Sequence, residues 1–180
     1  MTKISDNLYQ LYVLRHGKAS NESEEICRDF DRSLTDKGVE QAKQIGEWMR
    51  AHDLKPDIVL TSPAKRALAT TEIVSAKLNI EPQKIHIAKL MYEASLDALL
   101  TVLASCSPQH HKVLLVGHNP SFEYLVDYLL SATISHELAN NDRIFPATLV
   151  HLEMNVDWTQ LAPYCAQLVS ITHGNNCLEK

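Results

Sequence analysis

The chain has 180 residues, 45% of them hydrophobic and 22% charged, the proportions of an ordinary soluble globular protein. Its 17 lysines and arginines against 22 aspartates and glutamates leave a net charge of −5, which argues against nucleic acid or an anionic membrane as a partner held by bulk charge, though not against a local basic pocket. One domain of this size buries roughly 70% of the surface its unfolded chain exposes, so neither disulfides nor a structural metal is needed.

No stretch approaches ~18 consecutive apolar residues, and Met1 to Gln10 lacks the charged-then-apolar order of a secretory signal. A cytoplasmic protein is expected. Cys27, Cys106, Cys165 and Cys177 are 79, 59 and 12 residues apart, a spacing without metal-ligand rhythm that reads as buried or idle thiols.

Leu8 to Leu14 is short, almost wholly apolar and closed by polar residues, the pattern of a strand buried on both faces. It runs into Arg15-His16-Gly17. Residues 18 to 33 have mixed charge and no periodicity, so they read as a long surface loop, and loops of that length are usually functional or mobile. Thr35 is placed to cap a helix with Val39, Ala42, Ile45 and Met49 on one face. Ile58-Val59-Leu60 follows as a second strand. Ser62-Pro63 then places a capping hydroxyl before a proline at a first helical position, and Ala64, Ala67, Leu68, Thr71, Val74 and Leu78 form the next apolar face. Ile85-His86-Ile87 is a weaker strand, and Ser95 precedes a helix with Leu96, Leu99, Leu100 and Leu103 on one side. Lys112 to Gly117 is the clearest strand. His118-Asn119-Pro120 repeats the cap-then-proline pattern before a helix with Phe122, Leu125, Val126 and Leu129. After a loop at 131–146, Thr148 to Met154 and Ala166 to Thr172 read as two closing antiparallel strands. This alternation predicts a three-layer α/β/α sandwich around a mostly parallel sheet of about six strands.

In an open parallel sheet, ligands bind beyond the C-terminal strand ends, where helix N-termini point their free N–H groups. Arg15 and His16 end the first strand, Arg66 follows the second, and His118 ends the strand before the fourth helix. Two permanently charged arginines, two imidazoles and a helix N-terminus suit a dianion such as a phosphoryl group, and an imidazole there can act as nucleophile.

Arg15-His16-Gly17, Ser62-Pro63-x-x-Arg66 and Gly117-His118-Asn119 together resemble the signature of the histidine phosphatase superfamily, the phosphoglycerate mutase-like proteins. Arg32-Ser33-Leu34-Thr35-x-x-Gly38 and Phe145-Pro146-Ala147-Thr148 are similar to its short SixA-type phosphohistidine phosphatases. The resemblance implies that His16 takes the phosphoryl group as a transient phosphohistidine while Arg15, Arg66 and His118 hold its oxygens, without a metal or other cofactor. The family's usual proton donor is an acidic residue, for which Glu93 is the best candidate here. Lys18, Ser20 and Asn119 are possible further phosphate donors, Asn119 being equally placed to cap a helix. Arg32 fits the short family's motif but stands in a charged loop and reads as solvated, and Glu93 also reads as a solvated carboxylate at a helix start.

His52, His86, His110, His111, His136, His151 and His173 share no motif and are expected at the surface. His110-His111 carries no ligand spacing, so no metal site is predicted. Only 51 residues separate Arg66 from His118, too few for a cap domain beside a helix, a strand and a helix. A single domain with an open pocket, roofed only by residues 18–33 and 131–146, is therefore expected. An open pocket suits phosphohistidine displayed on a signalling or phosphotransfer protein. The alternatives are a phosphomonoesterase or mutase for a sugar phosphate or nucleotide, and an inactive phosphate-binding module.

Overall fold

The computed structural model describes residues 8–21, 28–131 and 144–175. Cys27, His136, Cys177 and most of the loop at 131–146 lie outside the described residues. Six strands, β1 (Tyr9–Arg15), β2 (Ile58–Thr61), β3 (Ile85–Ile87), β4 (Lys112–Gly117), β5 (Thr148–Met154) and β6 (Ala166–His173), form one sheet in the order β3-β2-β4-β1-β5-β6. The first four are parallel; β5 lies antiparallel to β1, and β6 antiparallel to β5.

Successive side chains of a strand point to opposite faces, and the apolar runs use both. Leu11, Val13, Ile58, Leu60, Val113 and Leu115 pack against helices α3 (Leu96–Ala104) and α4 (Ser121–Leu129). Tyr12, Leu14, Val59, Leu114 and Val116 pack against α1 (Asp36–Ala51) and α2 (Lys65–Lys77). The result is the α/β/α sandwich that the alternation implied. Beyond β1 the chain crosses outward to β2 and β3 and then returns to insert β4 beside β1. That reversal of winding moves the helices from one face to the other and opens a crevice at the strand ends.

Thr35 caps α1, its Oγ1 accepting the Gly38 N–H at 3.1 Å. Two other expected caps are corrected. Helix α2 starts at Lys65 with Ala64 as its N-cap, three residues beyond Ser62, so Pro63 is not a first helical residue. Helix α4 starts at Ser121 with Pro120 at its N-cap, and the Asn119 side chain instead donates to Glu123 and to the Ile144 carbonyl. His151 is buried on β5 rather than exposed, its ring tilted over Tyr12 at 4.7 Å, and burial holds its pKa down to about 4. His110 and His111 are half-buried and serve different neighbours: the His110 carbonyl accepts from Trp158, and the His111 ring stacks on Tyr9. Cys106 is buried, Cys165 is half-buried, and neither is in a disulfide.

Candidate active site

Three adjacent strands, β1, β4 and β2, end at the same edge of the sheet, and the residues that follow them meet there. The His16 N–H continues the β1–β4 ladder onto the Gly117 carbonyl at 3.1 Å. The His16 ring is only 8% exposed, and its Nδ1 lies 2.7 Å from the Gly17 carbonyl oxygen. A carbonyl can only accept, so Nδ1 carries the proton and Nε2 keeps its lone pair. The arginine beside it agrees, Arg66 donating Nε–H to His16 Nε2 at 3.2 Å. Burial first, then the nearby His118, Arg66 and Arg15, lower the pKa of His16 to about 3 against the raising effect of the Gly17 bond. The imidazole is therefore neutral, and its one lone pair, on Nε2, is directed at Arg66.

The turn carrying His16 rests on the first turn of α1. A Cβ on Gly17 would stand 2.4 Å from the Gly38 carbonyl oxygen, and one on Gly38 would stand 2.1 Å from that of Lys18, so the two backbones touch only because both residues are glycine. Gly17 N–H donates to Thr70 Oγ1 at 3.1 Å, and the Lys18 carbonyl accepts both the N–H and the hydroxyl of Thr35. Behind β1, Ala147, in the left-handed region at φ 56°, donates its N–H to the carbonyls of Arg15 and His16.

Arg66, 7% exposed in the first turn of α2, also binds a residue that sequence reasoning missed. Asp29, in the short 3-10 turn Asp29–Asp31, accepts from Arg66 Nη2 at 2.9 Å and from the Tyr92 hydroxyl at 3.1 Å on Oδ2, and from Arg32 Nη1 at 3.0 Å on Oδ1. Its backbone carbonyl accepts from Arg66 Nη1. Partial burial would raise the pKa of Asp29, but the hydrogen bonds and charge of Arg66, the bond from Arg32 and that from Tyr92 outweigh it and hold the pKa at about 2. Arg32 is thus bound rather than solvated, since it also donates Nε–H to the Ser20 carbonyl at 2.7 Å. The loop looks like an exposed charge run in sequence only because its partners lie far along the chain.

The His118 ring stands 5.0 Å from that of His16 and its Nε2 is 2.7 Å from Ser62 Oγ. That is the role of the hydroxyl read as a helix cap. His118 Nδ1 is buried without a hydrogen-bond partner among the described residues, and burial, then Arg66, lowers the pKa of the ring to about 4 against the raising effect of Asp29. Arg15 and Asn119 share one acceptor, the Ile144 carbonyl, at 2.8 and 2.9 Å, and Asn119 also donates to Glu123.

Arg15, His16, Arg66 and His118 all line one open pocket of about 670 Å³. Lys18, Asn119, Asp29 and Arg32 line it too, together with Tyr92, Glu93 and Pro146. Glu93 is exposed and has left-handed backbone geometry, φ 50°. Ser20 is not a lining residue: it is buried behind the wall, its hydroxyl on the Ser33 carbonyl. Cationic guanidinium groups around a neutral imidazole nitrogen can receive a phosphoryl group and attack it.

Residues 11–97 match the sequence pattern of the histidine phosphatase superfamily, branch 1. An uncharacterized protein of Picosynechococcus sp. is 33% identical over 132 residues, which are 72% of this chain and 78% of that protein. The chain belongs to the histidine phosphatase superfamily. Among solved structures it is similar to SixA of Agrobacterium tumefaciens, described as a candidate phosphohistidine phosphatase, with a TM-score of 0.77, 26% identity, and coverage of 91% of this chain and 97% of that one. A 66-residue stretch, 36% of the chain, is 41% identical to the 2,3-bisphosphoglycerate-dependent phosphoglycerate mutase of Nocardia farcinica, of which it spans 27%. Among the described residues of this superfamily member, no helix is long and apolar enough to cross a membrane.

Proposed function

We propose that this protein is a phosphatase that forms a phosphohistidine intermediate on His16 and removes phosphoryl groups from phosphohistidine displayed on another protein. The observation that carries this reading is the His16 ring, held in one tautomer by the Gly17 carbonyl so that Nε2 faces Arg66 in a pocket open to solvent. The stretch between Arg66 and His118 consists of α2, β3, α3 and β4 with their short connections, so no lid is inserted within that stretch, which supports a substrate larger than a small metabolite.

In the first step, Nε2 attacks phosphorus, the bond from phosphorus to the substrate nitrogen breaks, and the leaving imidazole takes a proton from solvent or from Glu93. Arg15, Arg66 and His118 stabilise the charge on the equatorial oxygens, and phosphoryl transfer asks little more of a protein than this positioning. In the second step, water attacks the phosphohistidine, releasing inorganic phosphate and restoring the Nε2 lone pair, while the water proton passes to bulk solvent. Lys18, exposed at the pocket mouth, can add a contact to the phosphoryl oxygens, whereas the Asn119 amide N–H groups are taken up by Glu123 and the Ile144 carbonyl. The likeness to the mutase stretch supports a second reading, a phosphomonoesterase or mutase for a small phosphate ester.

A side-by-side assay on a phosphohistidine protein and a panel of phosphate esters separates the two. Faster turnover of the phosphohistidine protein, with an acid-labile, base-stable phosphoenzyme on brief mixing, is the expected result. Outright preference for an alkyl phosphate would overturn it.

A further inference from the structure

Hydrolysis leaves inorganic phosphate among Arg15, Arg66 and Arg32, whose charge is permanent. An open pocket with three arginines would retain its product and would also be blocked by phosphate from solution. Asp29 stands in that pocket with its carboxylate bonded to two of the three, Arg66 at 2.9 Å and Arg32 at 3.0 Å. Arg66 has five N–H donors. Three are engaged, one on His16 and two on Asp29, which leaves two. An anion arriving at Arg66 meets a fixed negative charge within hydrogen-bond reach of the same guanidinium and competes with it for donors.

We propose that Asp29 is a specificity-setting residue that keeps the affinity for free phosphate low, so that product leaves and the pocket favours a phosphoryl group carried by a larger partner. The inference rests on the reading that this pocket takes a phosphoryl group. The carboxylate penalises every anion equally, but a protein substrate recovers the loss through contacts outside the pocket, whereas inorganic phosphate has none to make. If Asp29 served only to hold Arg66 in place, its removal would weaken phosphate binding, so the sign of the change decides.

The test is calorimetric titration of inorganic phosphate into the wild type, Asp29→Asn and Asp29→Ser near neutral pH, with circular dichroism to establish folding. Both variants are expected to bind phosphate at least about fivefold tighter, as loss of a nearby like charge requires, and to be inhibited by it at correspondingly lower concentration. Asp29→Glu, which restores the charge, should return the affinity toward the wild-type value. Unchanged or weaker binding in whichever neutral variant folds overturns the proposal while leaving the phosphatase reading intact. Absence of phosphate binding in the wild type and in both neutral variants alike overturns both.

Discussion

His16, Arg66 and His118 form a pocket floor less than a tenth exposed, whereas Lys18 and Glu93 at its rim stand in solvent. On the floor, each of the three groups has a protein partner. His16 is set by Gly17 and Arg66, Arg66 by Asp29, and His118 by Ser62. At the rim, the Glu93 carboxyl stands in solvent. On the proposed mechanism, the difference means that the attacking geometry would be built into the fold, while the handling of the leaving group would be left to an adaptable edge. A leaving group that departs easily suits such an edge.

The most severe way to break the contrast is to remove the nucleophile. His16→Ala should keep the fold, by circular dichroism, and lower hydrolysis by more than about 10³-fold, since groups that act as a unit fail together. Retention of a sizeable fraction of activity would refute the assignment. Next comes the support beneath the floor. Gly38→Ala drives a methyl group into the Lys18 carbonyl, and such overpacking costs about 1–3 kcal/mol or more. The melting temperature and the rate should fall together, as no rim substitution would make them do.

The floor also has a pH signature. His16 and His118 titrate at about 3 and 4 in the folded protein, and buried His151 at about 4, against about 6.5 in an unfolded chain. The unfolded state therefore binds protons that the native state refuses. Stability should be fully present above about pH 6.5 and decline as the pH falls toward 4, measurable as a falling denaturation midpoint.

Smaller effects belong to the rim. An alkoxide leaves badly without a positioned acid, an effect typically worth about 10²–10⁴-fold, whereas imidazole leaves readily and is protonated by solvent near its pKa of about 6.5. Glu93→Gln should thus reduce turnover of a phosphohistidine protein modestly and any alkyl phosphate activity much more, the ratio of the two losses being the measurement. Equal large losses would make Glu93 a general acid for every substrate. The smallest expected effect is that of a chelator. If the guanidinium and imidazole groups alone supply the positive charge, prolonged dialysis against it should leave the rate unchanged while vanadate or tungstate still inhibits.

Much of this arrangement was legible because strands buried on both faces announce themselves. Lys112 to Gly117 and Thr148 to Met154 were bounded to the residue, and β1 was displaced by one. Placing Arg15, His16, Arg66 and His118 at one edge needed only the alternation of elements. Asp29 was not legible, because its turn has no periodicity and its partners Arg66 and Tyr92 lie 37 and 63 residues away. Ser62 was misread for a related reason. A serine before a proline has the local form of a cap, and only the folded chain reveals that its hydroxyl meets His118 at the end of the neighbouring strand. His151 was misplaced because a histidine within an apolar strand carries no mark of which neighbours will cover it.

The bonds from the Ala147 N–H to the carbonyls of Arg15 and His16 have a consequence for synthesis. The candidate site residues of the strand ends are complete at His118, yet the peptide of His16 is supported only by a segment some 130 residues downstream, just before β5. A ribosome-bound chain that has already displayed Arg15, His16, Arg66 and His118 still lacks this support, and β1 lacks one of its two neighbours. If His16 is the nucleophile, activity should arise late, only when the final strand pair emerges and docks.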